Sequence, residues 1–401
     1  MENKTYELVK EVLAQETSLD SLLFYANHFD ELKGCRFLFF GNVGGVIPEH
    51  LHLEKSRFSI LGITNKPRIL LLDEIRFKEM MLTGVSNYNI DHCIAFDTQV
   101  VSYLERMFQA DNRTNYSDLY EVLMEVLNRK IDYDCLPYMI ENSNKLNDKK
   151  TQIGVYSTLI SYLQFQECDY NDFLKFPEKK VPVNQVIRKT DYLVEMMKKM
   201  SSEKELRGYY EMVMRTRILI TKTAQIQFGS GRKGIKFKID KLIDFVNNEL
   251  GIIAERELSV CYLYLKNSNE VSKFFKQIQK NAKDIFKTIE GMAWDLTHIR
   301  IIEQSIQFDV DENKPICLRS LLTFDNGLRD ILRTLPLRAI GFYKGVPVCA
   351  FEKSFIEIVE EIDLKDKIIL NRKKRLRMWQ KVNLSALLHK VEVELAQTLQ
   401  K

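Results

Sequence analysis

An α/β protein with a parallel sheet, interrupted by a large helical insertion, is what this chain predicts, and three observations carry the prediction. HCIAFD (92–97) and ICLRSLLTFD (316–325) are compact apolar runs, each ending in an aspartate and passing at once into a helical pattern. Such runs read as strands buried on both faces. Between them lie long, charged helical patterns over 190–228 and 238–290, broken by FGSGRKGIKFK. The 401 residues are 45% hydrophobic and 28% charged, ample for a packed core. That length suits two or three domains, or one core with large additions, and the composition is not that of a disordered chain.

The elements follow in chain order. Over 1–33, Leu8, Val9, Val12 and Leu13 recur at helical spacing, and Leu19, Leu22, Leu23 and Tyr25 form a second short set. CRFLFFGN, RFSILGI and PRILLLDE are short apolar runs bounded by Gly, Pro and Asn, a strand signature, so 1–88 reads as a mixed helix/strand segment. Residues 89–169 form the first half of the core. TQVVSYLERMFQ is a helix through Val100, Val101, Leu104 and Phe108, with Thr98 at its start. Further helices are expected over 117–146, where Pro137 falls in a first turn, and over 151–166. KFPEKKVPVNQVIRK reads as a linker that opens a helical insertion over 170–285. The second half of the core, 286–350, holds a helix marked by Trp294, Ile299, Ile302 and Ile306, the strand ending at Asp325, the helix NGLRDILRTL and the strand RAIGFY. The remainder, 351–401, reads as a basic helical region around NRKKRLRMWQK.

Composition excludes more than it identifies. A net charge of +4 is too small to mark a nucleic-acid binder by itself. Seven cysteines at irregular spacing, with no CxxC pair, read as reduced thiols and not as a disulfide framework or zinc site. MENKTYELVKEVLAQE has no apolar signal-like core, and no run approaches a membrane span. A cytoplasmic protein without a membrane partner is therefore expected. GxSxG and HExxH are absent, and the GxxxxG of 229–234 is followed by Ile235 where a phosphate loop needs Lys.

The chemistry is expected where the two strands end. If they are parallel neighbours, Asp97 and Asp325 meet on one sheet edge, the edge where open α/β sheets bind ligands. Clustered carboxylates repel one another and persist when a hard cation neutralises them. Each aspartate also has a plainer reading as a helix N-cap. AFDTQVVSYL resembles the first motif of PIN-domain nucleases, LTFDNGLRDIL resembles their last motif, and AWDLTHIRIIEQSI is similar to the third. The resemblance implies a three-layer PIN-like α/β core. It also implies a Mg²⁺- or Mn²⁺-dependent nuclease acting on RNA, or on single-stranded DNA, in the manner of a toxin or antiviral defence effector, with a regulatory protein partner or a homodimer as its company.

By the same resemblance Asp97, Asp295 and Asp325 bind metal, and Glu141, with Glu121 and Glu125 as competitors, completes the catalytic set. Thr323, Asn326 and Arg329 near the same edge, and Arg232 and Lys233 in the Gly-rich stretch, are the expected nucleic-acid contacts. The chain departs from the family pattern in the 228 positions between Asp97 and Asp325 (325 − 97), which the insertion must fill. Non-catalytic alternatives are a PIN-like scaffold that binds RNA or protein, and a helical interaction protein in which the aspartates are caps. His298 reads as a tethering or core residue, with metal ligand or base as its sharper alternative. Trp294 reads as a packing anchor.

Overall fold

The computed structural model describes residues 2–48, 53–55, 57–202, 204–311 and 314–400. Among these residues ten strands make two sheets: β1 Arg36–Gly41, β2 Leu53–Glu54, β3 Ser59–Leu61, β4 Arg68–Leu72, β5 Ile90–Phe96, β6 Asp132–Asp134, β7 Gln307–Asp311, β8 Lys314–Thr323, β9 Leu337–Tyr343 and β10 Val346–Phe351. One sheet runs β10-β9-β1-β4 and is antiparallel throughout. The other runs β2-β3-β8-β5-β6, with β7 also on β8. Its β8, β5 and β6 are parallel, while β2, β3 and β7 join antiparallel. The fold is thus mixed α/β, with a parallel centre and antiparallel additions.

The two aspartate-ending strands are direct neighbours. β5 and β8 pair in parallel from Ile90↔Ile316 to Phe96↔Leu322. Alternation along them explains why both read as continuous apolar runs. Ile94 and Phe96 enter one core, with the Thr98–Gln109 and Ser117–Asn128 helices. Ala95 enters the other, which joins Leu318 and Leu321 to the inserted helices. Successive strand residues face opposite ways, and here both ways are inside. Each fully buried Phe, Ile or Leu contributes about 1.5–3 kcal/mol, so the strand ends are held firmly.

Several expectations need correction. The 1–88 segment does not stand apart: β1 pairs with β9 and β3 with β8, because the apolar residues of RFLFF face both ways, Leu38 and Phe40 into one core and Phe37 and Phe39 into another. The two helices expected over 117–146 are present as Ser117–Asn128 and Leu136–Ser143, and between them lies an unexpected short strand, β6, which extends the sheet beside β5. The linker reading of KFPEKKVPVNQVIRK holds only to Pro182, which leads into the Val183–Met200 helix. β10, VPVCAF, is not among the expected strands. It is an edge strand, where Pro347 costs the sheet no internal bond.

From 183 to 275 the described elements are all helical. The Lys204–Gly229 helix packs along the Ile285–Gln304 helix and the C-terminal Leu384–Leu399 helix, and Arg217 ties it to both through Glu290 and Glu392. In the basic Arg372–Lys381 helix, Arg375 is buried on Asn247 and the Ile368 carbonyl, and Arg372 pairs with Glu7. All seven cysteines are free thiols. No helix among the described residues is long and apolar enough to cross a membrane.

Candidate active site

The site grows from the ends of β5 and β8. Asp97 adds one more bond to the ladder, its N–H donating to the Leu322 carbonyl at 3.0 Å, and its own carbonyl accepts from Val101 to start the next helix. Its carboxylate does not cap that helix. Instead Oδ2 accepts from Thr323 Oγ1 at 2.7 Å, and Oδ1 stands 3.4 Å from His298 Nδ1. Asp97 is 1% exposed. Asp325 does cap its helix, with Oδ1 accepting from the Leu328 N–H at 2.8 Å, which uses one of its two oxygens. Thr323 serves both junctions, since its hydroxyl also accepts the Asp325 N–H at 3.1 Å.

Glu141 comes from the Leu136–Ser143 helix, beneath β5. Its Oε2 accepts from Thr98 Oγ1 at 2.7 Å and lies 3.5 Å from His298 Nε2, while Oε1 accepts from Lys145 at 3.1 Å. The competing glutamates sit elsewhere, Glu121 beside Lys55 and Glu125 beside Arg129. Asp295 and His298 share one face of the Ile285–Gln304 helix, three residues apart. Asp97, Thr98, Glu141, Trp294, Asp295 and Asp325 therefore line one cavity of about 410 Å³. The four carboxylates converge although 228 positions separate the first from the last (325 − 97).

The charges in this cavity are strongly coupled. Burial and the negative charges of Asp97 and Asp325 push the Asp295 carboxyl well above the usual carboxylate range. Burial would do the same to Glu141, but His298 in particular, with Lys145 and Thr98, holds it down at about 2. Burial disfavours a charged imidazole, yet Asp97 and Glu141 on its two nitrogens raise His298 to about 10. Those nitrogens lie too far from the oxygens, or at too poor an angle, for well-formed hydrogen bonds, and they interact as an ion pair within a buried triad. His298 is 1% exposed. It sits between Asp97 and Glu141 and so links the end of β5 to the Leu136–Ser143 helix.

Carboxylate oxygens are the kind of donor that hard divalent ions take. Asp295 is a carboxyl whose ionisation its neighbours oppose, and a bound dication relieves that opposition. The arrangement is not a ready-made shell: among the described residues no group of three or more His, Cys, Asp or Glu side chains is set to hold a metal ion.

The expected phosphate contacts fare differently. Arg329 turns away from the cavity and donates from Nη1 to Ser59 Oγ at 2.6 Å, clamping its helix to β3. Asn326 is exposed at the start of that helix and is not part of the cavity wall. Arg232 and Lys233 sit in the turn between the Lys204–Gly229 and Ile235–Phe245 helices. Tyr210 of the first of these helices packs on Trp294 beside the site. Gly229 is nineteen residues further along (229 − 210), roughly 28 Å at 1.5 Å per residue. The Gly-rich stretch is a helix connector remote from the carboxylates.

Lys273 and Gln277, from the end of the insertion, and Lys287, from the first turn of the Ile285–Gln304 helix, by contrast line the cavity. Gly327 makes this possible. A Cβ there would lie 2.7 Å from the Phe274 Cα, so only glycine lets the Ser272–Phe275 turn sit against the helix that Asp325 begins. The sequence signal for this wall is the regular lysine spacing of KFFKQIQKNAKDIFK.

No protein-family model matches the chain, and no curated protein or solved structure matches it.

Proposed function

We propose that this chain is a Mg²⁺- or Mn²⁺-dependent nuclease on a PIN-like three-layer core, hydrolysing phosphodiester bonds in RNA. One observation carries the reading: the ends of two neighbouring parallel strands bring Asp97 and Asp325 into the cavity that Glu141 and Asp295 also line. Supporting the three-layer description, the parallel β6-β5-β8 centre has inserted helices on one side and the 98–166 helices on the other.

Asp97, Asp295 and Asp325 would hold the ion, which supplies an activated water and neutralises charge on the leaving oxygen. The chain's own groups do the rest. Thr323 fixes the rotamer of Asp97, and Thr98 that of Glu141. Glu141 stays ionised at neutral pH because His298 and Lys145 hold its carboxyl low, so it can accept a hydrogen bond from the attacking water and orient it. Trp294, packed edge-on against Tyr210, forms part of the cavity wall.

One observation favours a second reading, a non-catalytic scaffold that binds RNA. His298 already neutralises Asp97 and Glu141 from within, so part of the acidic set is balanced without a dication. Incubating the protein with labelled RNA and Mn²⁺ separates the two. Cleavage by the wild type that is lost in both Asp97→Asn and Asp325→Asn supports the nuclease. RNA left intact by wild type and variants alike, while still bound, supports the scaffold.

A further inference from the structure

A lysine-rich arc borders the acidic cavity. Between positions 273 and 287 stand Lys273, Lys276, Lys280, Lys283 and Lys287 against a single acid, Asp284. The side chains of Lys276, Lys280, Lys283 and Lys287 are exposed and have no ion-pair partner among the described residues. Lys273 leans on Asp330 at 2.8 Å. Asp284 is occupied as a helix cap, accepting the Lys287 N–H at 3.3 Å. The arc thus carries four lysines without an ion-pair partner among the described residues, on a segment whose Lys273, Gln277, Asp284 and Lys287 line the cavity together with Asp97, Glu141, Asp295 and Asp325.

Its position is fixed. Phe274, Phe275, Ile278 and Ile285 are buried in the main core between the lysines. The Gly327 contact seats the first turn of the arc against the helix begun by Asp325. Lys273 and Lys287, at its two ends, both reach the cavity wall.

We infer that residues 272–288 are the track on which the phosphate backbone of single-stranded nucleic acid lies as it enters the cavity. The choice of polymer rests on the nuclease reading above. A polyanion approaching four carboxylates meets repulsion unless cations line its path, and lysines that neutralise phosphates release counterions, which makes such binding salt-dependent. The nucleotide at the carboxylates must be unpaired, since a cavity of about 410 Å³ has no room for a duplex. The end of the helical insertion then has a purpose: it supplies the half of the binding surface that the parallel strands cannot.

The test uses fluorescent RNA and DNA oligonucleotides of one sequence, with binding followed by anisotropy across a salt series in the absence of divalent metal. The variant is Lys276→Glu/Lys280→Glu/Lys283→Glu, which leaves every cavity-lining residue in place, and Lys276→Gln/Lys280→Gln/Lys283→Gln serves as a milder companion. Circular dichroism and melting check that both fold. Affinity should fall on the order of tenfold or more at low salt, and the log–log salt slope should drop by about 0.7 for each phosphate no longer neutralised. The glutamine variant should fall between. In cleavage assays KM should rise with kcat nearly unchanged. Unchanged affinity and slope in both folded variants would overturn the track. Asp97→Asn separates the two ideas: full binding without cleavage in that protein, together with unaffected lysine variants, sinks the track alone. Weakened binding in the lysine variants, with a wild type that never cleaves, keeps the track and sinks the nuclease. The RNA and DNA arms tell which sugar is preferred.

Discussion

The two strand-to-helix junctions, Phe96–Thr98 and Phe324–Asn326, carry the same local pattern and use it differently. Asp325 caps the helix it precedes. Asp97 stands in the same position before its own helix yet makes no cap bond, and its carboxylate is instead buried against Thr323 and His298. Local helix chemistry therefore accounts for Asp325 and leaves Asp97 without a local reason to be buried. Uncompensated, a buried carboxylate costs several kcal/mol. A residue that its own helix does not need, held in place by side chains from far along the chain, is the stronger functional marker of the pair.

The contrast can be broken most forcefully at His298. His298→Ala should destabilise the protein by about 3–5 kcal/mol, the scale of removing one partner from a buried charge pair, as read by urea unfolding. An unfolding midpoint close to that of the wild type would mean that the triad is not ion-paired. The pH course gives a second view. His298 has a folded-state value of about 10, above its unfolded value of about 6.5. Its stabilisation is therefore full below about pH 6.5 and is lost as the pH rises towards 10. The metal-free wild type should lose melting temperature across that window, with a smaller loss in a folded His298→Gln protein.

Next in size is activity. Asp97→Asn and Asp325→Asn should each lower Mn²⁺-dependent cleavage by at least about a hundredfold, roughly 2.7 kcal/mol of barrier. The two should separate in stability. Asparagine caps as well as aspartate, so Asp325→Asn should melt near wild type, whereas Asp325→Ala should lose about 0.5–2 kcal/mol. Asp97→Ala forfeits no cap. If Asp97→Ala and Asp325→Ala lose stability through the same cap mechanism, with equal helix fraying by hydrogen exchange, the distinction between the junctions falls. Thr323→Val should lose roughly 1–3 kcal/mol for the two hydrogen bonds that its hydroxyl makes, to the Asp97 carboxylate and from the Asp325 N–H, together with slower cleavage because the Asp97 carboxylate is no longer oriented.

How much of this is legible in the sequence depends on whether the signal is local. Both strand ends, the helices after them and the helix bearing Asp295 and His298 can be read from apolar periodicity, because periodicity reports the face a residue buries. Their adjacency can be stated as a condition, and β5 and β8 meet it. The partners of β1 cannot be read. RFLFF is apolar on both faces, so nothing in it names β9 as a neighbour. The charge of Arg329 suggests phosphate, while its actual partner Ser59 lies 270 residues earlier (329 − 59). The Gly- and Lys-rich stretch at 228–238 stands out by composition, but glycine and lysine equally suit a turn between helices. The lysine arc does not stand out, because exposed lysines are common on any surface, and only its placement beside the acidic cavity distinguishes it.

The contact between Gly327 and Phe274 has a consequence of its own. The carboxylate-bearing strand end and the lysine-bearing turn belong to segments of different origin in the chain, and at this point their backbones touch with no side chain between them. Any residue larger than glycine at 327 would act as a wedge there, prying the cationic wall away from the anionic floor while leaving every charged side chain in the sequence. The spacing between attraction and repulsion in this cavity thus depends on an atom that is absent, since an added methyl group would meet the Phe274 backbone and the Asp325 carboxylate at once.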